Sequence, residues 1–80
     1  MKATVLVRPK QGILDPQGEA VQASLRKLGF DVSNVRVGRV IDLELDDGEA
    51  GARARVERMC DQLLANPLIE SFEIRLDNES

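Results

Sequence analysis

Alternating hydrophobic and polar residues predict a strand near each end of the chain. In residues 2–8, Ala3, Val5 and Val7 fall on one face, and the β-branched side chains favour a strand. Residues 71–76 alternate in the same way, which predicts a last, half-buried strand. The apolar positions of that last strand are Phe72, Ile74 and Leu76.

A spacing of three and four residues between apolar positions predicts two helices. The first begins at Asp15-Pro16, because Asp15 can cap it and Pro16 suits the first helical position, and it ends at Gly29. The stripe of this helix that is expected to face the core is Ala20, Val21, Leu25 and Leu28. The second helix is predicted over residues 48–65, before Asn66-Pro67. Its apolar stripe is Ala52, Val56, Met59, Cys60, Leu63 and Leu64.

The stretch between the helices, residues 35–46, is the most informative. Its odd positions read Val, Val, Arg, Ile, Leu, Leu and its even positions Arg, Gly, Val, Asp, Glu, Asp. A hairpin at Gly38-Arg39 would mix apolar and charged residues on each face, whereas one continuous strand keeps an apolar face with Arg39 as the exception. Twelve residues of strand span about 40 Å, whereas a chain of this size forms a globule about 30 Å across. We therefore predict a long strand that overhangs its own domain and whose edge a symmetric partner covers.

The element order predicts one domain over residues 1–80 with the order β-α-β-α-β. This order is typical of the α+β class, as a two-layer sandwich of ferredoxin-like type with both helices on one face of the sheet. The long central strand does the work of two strands and is expected to be used in dimerisation.

Composition removes several function classes. The chain has 80 residues, a net charge of −3, no His, one Cys and two Phe as its only aromatic residues. Without His there is no Ser-His or Cys-His pair, and a lone Cys forms no internal disulfide. The acidic balance and the scarcity of aromatic rings argue against binding to nucleic acid. The start of the chain leads directly into a strand pattern, so a cytoplasmic location is expected.

Acidic side chains and the single thiol are the first candidates for chemistry. The acidic positions are Asp42, Glu44, Asp46, Asp47 and Glu49. We interpret them as a solvated outer face rather than as a metal site. Cys60 lies on the apolar stripe of the second helix and is expected in the core. The sequence therefore predicts no catalytic, cofactor-binding or metal-binding residue in this chain.

Four basic residues, Arg8, Lys10, Arg36 and Arg39, would gather if the first strand and the long strand are neighbours. They form either ordinary surface charge or a contact for an acidic partner or a phosphate. Charge reversal at Arg39 is expected to weaken any partner complex. The residues predicted to form a protein interface are Val35, Val37, Arg39 and Ile41.

Five stretches together resemble the PurS family, the small subunit of phosphoribosylformylglycinamidine synthase. They are VRPK at 7–10, ILDPQG at 13–18, LGF at 28–30, VRVGRVI at 35–41 and LANPLIE at 64–70. The specific part is LDPQG followed by LANP in that order and spacing, and the resemblance covers residues 2–76.

The resemblance implies a PurS-like fold and a subunit without an active site of its own. Such a subunit forms a homodimer or a higher oligomer. It bridges a PurQ-type glutaminase, which releases ammonia from glutamine, and a PurL-type synthetase, which uses ATP and Mg²⁺. It would belong to a C–N ligase complex of purine biosynthesis and assist the transfer of ammonia.

Two other functions remain open from the residues alone. One is a small-molecule-binding regulatory dimer of ferredoxin-like type, an analogy of fold only. The other is an independent enzyme, which the missing His and nucleophile argue against.

Overall fold

A computed structural model of the chain describes residues 1–46 and 51–77. Its elements follow the order β-α-β-α-β that the sequence predicts, with a π-helical turn after the second helix. They are β1 (Lys2–Pro9), α1 (Pro16–Lys27), β2 (Arg39–Glu44), α2 (Ala52–Met59), the π turn (Cys60–Leu64) and β3 (Glu70–Leu76).

The described strands form one antiparallel sheet in the order β2-β1-β3. Val5 lies opposite Ile41 on one side and opposite Ile74 on the other. This sheet with two helices confirms the α+β fold class. It also corrects one detail, because β1 lies in the centre and β2, the regular part of the predicted central strand, lies at an edge.

The core lies between the sheet and α2. β1 contributes Ala3, Val5 and Val7, and all three are buried. From α2 and the π turn, the predicted stripe is confirmed at Ala52, Val56 and Cys60, which are buried. It is wrong at Met59 and at Leu63, which is 83% exposed. The cause for Leu63 is the π turn, because a wider turn rotates the following side chains away from the face they would hold in an α-helix.

Helix α1 begins and ends as its capping residues predict. Asp15 accepts a hydrogen bond from the N–H of Gly18 (3.0 Å), and Gly29 adopts a φ of 97° beyond the last turn. However, the stripe expected in the core is not there. Val21 is 41% exposed, Leu28 is 73% exposed, Ala20 is exposed and only Leu25 is half-buried.

The stripe is exposed because α1 lies beside its own following chain and not on the sheet. Arg26 donates from Nε to the carbonyl of Val32 (2.9 Å), and Gln22 accepts from the N–H of Val35 (3.2 Å). We call α1 together with residues 28–38 the arm. The prediction that both helices cover one face of the sheet is therefore wrong within a single chain, where α2 alone covers the core.

The predicted twelve-residue strand has a regular ladder only in its second half, Arg39–Glu44. Beyond Arg39 the register would bring Val37 opposite Pro9, which has no N–H to donate, so the ladder stops there. The hairpin alternative is not observed, since Arg39 pairs with Val7 and Gly38 has no positive φ. Asn34 has a φ of 56°, and residues 35–38, which follow it, contain no turn or bend.

The overhang that the long strand predicts is visible in the dimensions of the molecule. Its principal extents are 48 × 25 × 17 Å and its radius of gyration is 15.7 Å. A globular chain of this length would have a radius of gyration of about 12 Å. The arm accounts for this elongation, because it continues past the end of the sheet.

Candidate functional site

Four of the five sequence stretches that carry the family resemblance, all except residues 28–30, meet at one end of the sheet, where β1 ends and the arm begins. The loop before α1, the extended residues 35–39 and the turn before β3 are joined there by side-chain hydrogen bonds. We call this place the junction. Three side chains, those of Asp15, Arg36 and Arg39, hold its segments together.

Asp15 joins α1 to the extended part of the arm. One carboxylate oxygen accepts from the N–H of Gly18 (3.0 Å) and the other from the N–H of Val37 (2.9 Å). These N–H donors, Val37 first and then Gly18, lower the pKa of the Asp15 carboxyl, and the Arg36 guanidinium contributes in the same direction. A helix-capping carboxylate thus also holds an extended segment that has no strand beside it.

Arg36 holds the loop between β1 and α1. Its Nη2 donates to the carbonyl oxygens of Lys10 (2.9 Å) and Ile13 (3.1 Å), and its Nε lies 4.0 Å from a carboxylate oxygen of Asp15. The loop carbonyls would otherwise face water, so Arg36 fixes the direction in which the chain enters α1.

Two glycines permit the close packing of the junction. A Cβ on Gly18 would overlap the carbonyl oxygen of Val35, and a Cβ on Gly38 would overlap that of Val7. Gly18 therefore lets the first turn of α1 approach the extended segment. Gly38 lets that segment approach β1.

The contacts of Arg39 explain why this charged residue can occupy an inward position of the strand. Its guanidinium pairs with both carboxylate oxygens of Glu70, at 2.7 and 3.1 Å, and also donates to the carbonyl of Leu64. Glu70 accepts in addition from the N–H of Asn66 (2.7 Å). The hydrogen bonds from Arg39, and then that from Asn66, lower the pKa of the Glu70 carboxyl. The hydrogen bond to Glu70 raises the pKa of Arg39.

The predicted interface residues follow the arm into β2. Val35, Val37 and Ile41 are half-buried, and Arg39 is exposed apart from its contact with Glu70. Their role in an interface stays a prediction. The structure shows that Arg39 is paired with Glu70 within one protomer, so its charge has a partner there.

Three of the four basic residues come together. Arg8, Arg36 and Arg39 line an open cleft with Gly38 and Val40. Lys10 instead donates from Nζ to the carbonyl of Pro67 at 2.6 Å, which ties the loop after β1 to the turn before β3.

The acidic residues and the thiol offer no reactive centre in the described residues. Asp42, Glu44 and Asp46 are exposed, while Asp47 and Glu49, like the predicted helix start at Gly48, lie outside residues 1–46 and 51–77. In those two ranges no three acidic or Cys side chains lie close enough to hold a metal ion. The prediction for Cys60 is confirmed: it is fully buried, and this burial raises the pKa of its thiol.

The sequence pattern gave Asn66 a role only in ending the second helix, and it gave no role to Glu70 or Gln22. A signal for Glu70 was available, because an arginine at an inward strand position requires a counter-charge. The junction has the chemistry of recognition and positioning: it fixes the angle of the arm against the sheet.

Comparisons with known proteins find similar sequences over almost the whole chain. The family model PurS, phosphoribosylformylglycinamidine (FGAM) synthase, matches residues 2–78. The phosphoribosylformylglycinamidine synthase subunit PurS of Methanocaldococcus jannaschii is 40% identical over 78 residues, which cover 95% of this chain and 94% of that protein.

Solved structures show the same fold. Bacillus subtilis PurS superposes with a TM-score of 0.84 at 36% identity, over 92% of this chain and 94% of that one. A chain in the structure of PurLQS from Thermotoga maritima superposes with a TM-score of 0.82 at 33% identity, over 92% and 93% of the two chains.

Proposed function

This chain belongs to the PurS family, and from this premise we propose that it is the non-catalytic small subunit of a phosphoribosylformylglycinamidine synthase in purine biosynthesis. The observation that carries the proposal is the family match over residues 2–78, which includes every residue of the junction. The site itself fits this role, because it consists of groups that position chain segments.

The proposed partners are a PurL-type synthetase and a PurQ-type glutaminase. The support is the Thermotoga maritima PurLQS structure, one chain of which shares this fold. In the proposed complex the glutaminase releases ammonia and the synthetase, with ATP and Mg²⁺, places that nitrogen on its substrate. Ammonia is mostly protonated near neutral pH and diffuses away, so a subunit that bridges the two sites and closes the path raises the yield. None of the described helices is long and apolar enough to cross a membrane. The cytoplasmic location of the complex is a part of the proposal on which this observation does not bear.

An apolar surface outside the arm is suited to such bridging. Leu63, in the π turn, is 83% exposed, and Leu68, in the turn before β3, is 82% exposed. Exposed apolar side chains mark a protein-interaction surface where they are contiguous, and Ile69, next to Leu68 in the sequence, is also 43% exposed. We assign this surface to contact with one of the two larger subunits.

We also propose that the chain forms a homodimer through the long strand, and the exposed surface of the arm supports this. The stripe of α1 is exposed, and Ile41 and Leu43 on the inner face of β2 are only half-buried. A two-layer fold would cover that part of the sheet with its other helix. In a dimer, α1 of each protomer covers the sheet of the other, which buries both surfaces in one step.

Reconstitution tests the proposal. The synthetase and the glutaminase are assayed for product with glutamine as the nitrogen source, with and without this chain, and again with ammonium salt. We expect the chain to be required with glutamine and dispensable with ammonium, since a bridge affects delivery and not the synthetase step. An unchanged glutamine-dependent rate without the chain would contradict the proposal, as would turnover by the chain alone.

A further inference from the structure

Charge is unevenly distributed along the outward side of the long strand. The outward, even positions begin with Arg36, and the acidic residues Asp42, Glu44 and Asp46 follow at the other end. In β2 the exposed positions include Asp42 and Glu44, while Ile41 and Leu43 are half-buried. One strand thus presents a cation at its start and carboxylates at its end on the same face.

The edge that this strand presents to solvent has open hydrogen-bonding groups. In residues 35–38, the N–H groups of Val35 and Val37 are bound by Gln22 and Asp15 from the side of α1. Successive N–H groups of a strand point to opposite edges. Those of Arg36 and Gly38 have no acceptor among the described residues. The edge opposite α1 is therefore free to pair with another strand.

Antiparallel pairing of this strand with its own copy has few registers. Residues that lie directly opposite each other must point to the same face of the sheet, so odd positions meet odd positions and even positions meet even ones. The two-fold axis must then pass through a residue near the middle of the strand. An axis at Arg39 places Arg36 opposite Asp42, an axis at Val40 places it opposite Glu44, and one at Ile41 opposite Asp46. Each register brings Arg36 to a carboxylate.

All three registers contain an unfavourable pair, but two of them carry the larger cost. An axis at Arg39 sets that guanidinium against its own copy. An axis at Ile41 sets Val40, which is 60% exposed, against Asp42. An axis at Val40 sets valine against valine and covers this exposed side chain on both protomers. It also sets Arg39 opposite Ile41, but the Arg39 guanidinium already has a counter-charge in Glu70 of its own chain.

We infer that a second copy of this chain pairs antiparallel along the outer edge of residues 35–45 with the two-fold axis at Val40, and that Arg36 of each protomer pairs with Glu44 of the other. This inference rests on the homodimer of the proposed function and adds its register and a pair of opposite charges across it. Arg36 has an atom for this contact, because its Nη2 and Nε are engaged within the chain while its Nη1 has no partner in the described residues.

Charge reversal in two separate chains tests the register. In E44R homodimers, both cross-strand pairs become Arg against Arg, and in R36E homodimers both become Glu against Glu. Each variant is expected to dimerise about tenfold more weakly than the wild type. An equimolar mixture of the two restores both opposite-charge pairs, so it should form heterodimers at wild-type strength. Dissociation constants come from sedimentation over a dilution series, and E57R, at an exposed position of α2, is the matched control.

Because Arg36 also holds the loop before α1, salt dependence of E44R alone provides a second measurement. Salt screens attraction in the wild type and repulsion in E44R, so dimerisation should weaken with salt in the former and strengthen in the latter. Equal salt slopes, or E44R and R36E dimers of wild-type strength, would refute the charge pairing and leave the dimer and the subunit role standing. If instead R36E regains wild-type dimerisation when it is mixed with D42R or with D46R, the two-fold axis lies at Arg39 or at Ile41, and the proposed register is refuted. A wild-type chain that stays monomeric would overturn the proposed dimer together with this inference.

Discussion

The two helices of this protein carry similar apolar stripes, yet only one of them is buried. On α2, Ala52 and Val56 are almost inaccessible, whereas on α1 Val21 and Leu28 are 41% and 73% exposed. The difference lies in the course of the segment that follows each helix. α2 returns to the sheet through β3, while α1 leads into an extended segment that passes beyond the sheet. An apolar stripe therefore predicts that a helix face is buried, but not that its own chain buries it.

Val56→Asp is expected to have the largest effect, because Val56 is fully buried and a carboxylate there has no partner. Burial of an unpaired charge costs several kcal/mol, which is comparable to the whole stability of a domain this small. Circular dichroism should show loss of the folded state at 25 °C. The control is Ala54→Asp, at an exposed position of the same helix; a folded Val56→Asp variant would show that α2 does not form the core.

Leu28→Asp should separate the two regions. In a single chain Leu28 touches little, so folding of the sheet and α2 is expected to persist, while dimerisation weakens by at least about 100-fold through two lost leucine contacts. Light scattering gives the mass, and circular dichroism gives the fold. Ala23→Asp, an exposed position on the opposite side of α1, should leave the mass unchanged. Retention of the wild-type mass by Leu28→Asp would exclude the stripe from the dimer.

Gly18→Ala tests the joint between the regions. The added Cβ meets the carbonyl of Val35, so α1 must shift away from the extended segment at a cost of about 1–3 kcal/mol. Thermal denaturation should show a Tm that is lower than that of the wild type by about 5–20 °C. Ser24→Ala, at an exposed position of the same helix, serves as the control. An unchanged Tm would mean that the arm is not held at this point.

Glu70→Gln should have the smallest effect, on the acid side of the stability profile. The pKa of Glu70 is lowered from its ordinary 4.5, so its stabilising contribution is present above that value and is lost as the pH falls through the lower pKa of the folded state. The variant is expected to be less stable than the wild type by under about 1 kcal/mol at neutral pH and equal to it in strong acid. Urea titrations at several pH values measure this, with Glu73→Gln at an exposed ion pair as control. A constant difference at all pH values would show that the charge of Glu70 is not responsible.

Local signals made much of the fold predictable. Asp15, Pro16 and Gly29 mark α1 through rules that depend on a few neighbouring residues, and the alternation of β1 and β3 gives their buried faces directly. The continuity of residues 35–46 follows from the parity of their side chains. These features need no knowledge of distant contacts.

The failures concern features that local pattern does not encode. The position of α1 depends on the hydrogen bonds from the N–H groups of Val35 and Val37 to Gln22 and Asp15, which join residues 13 and 22 positions apart. The exposure of Leu63 depends on a π turn, which leaves no mark in the spacing of apolar residues. At the site, the pairing of Arg39 with Glu70 joins residues that are 31 positions apart, and only the register of the sheet reveals it.

The mass of the isolated wild-type chain in solution tests the central claim, that the arm is completed by a second copy, most directly. Multi-angle light scattering over a dilution series should give at least twice the chain mass of 8.8 kDa at micromolar concentration, decreasing only on strong dilution. A mass of 8.8 kDa at every concentration, with the fold intact, would contradict it.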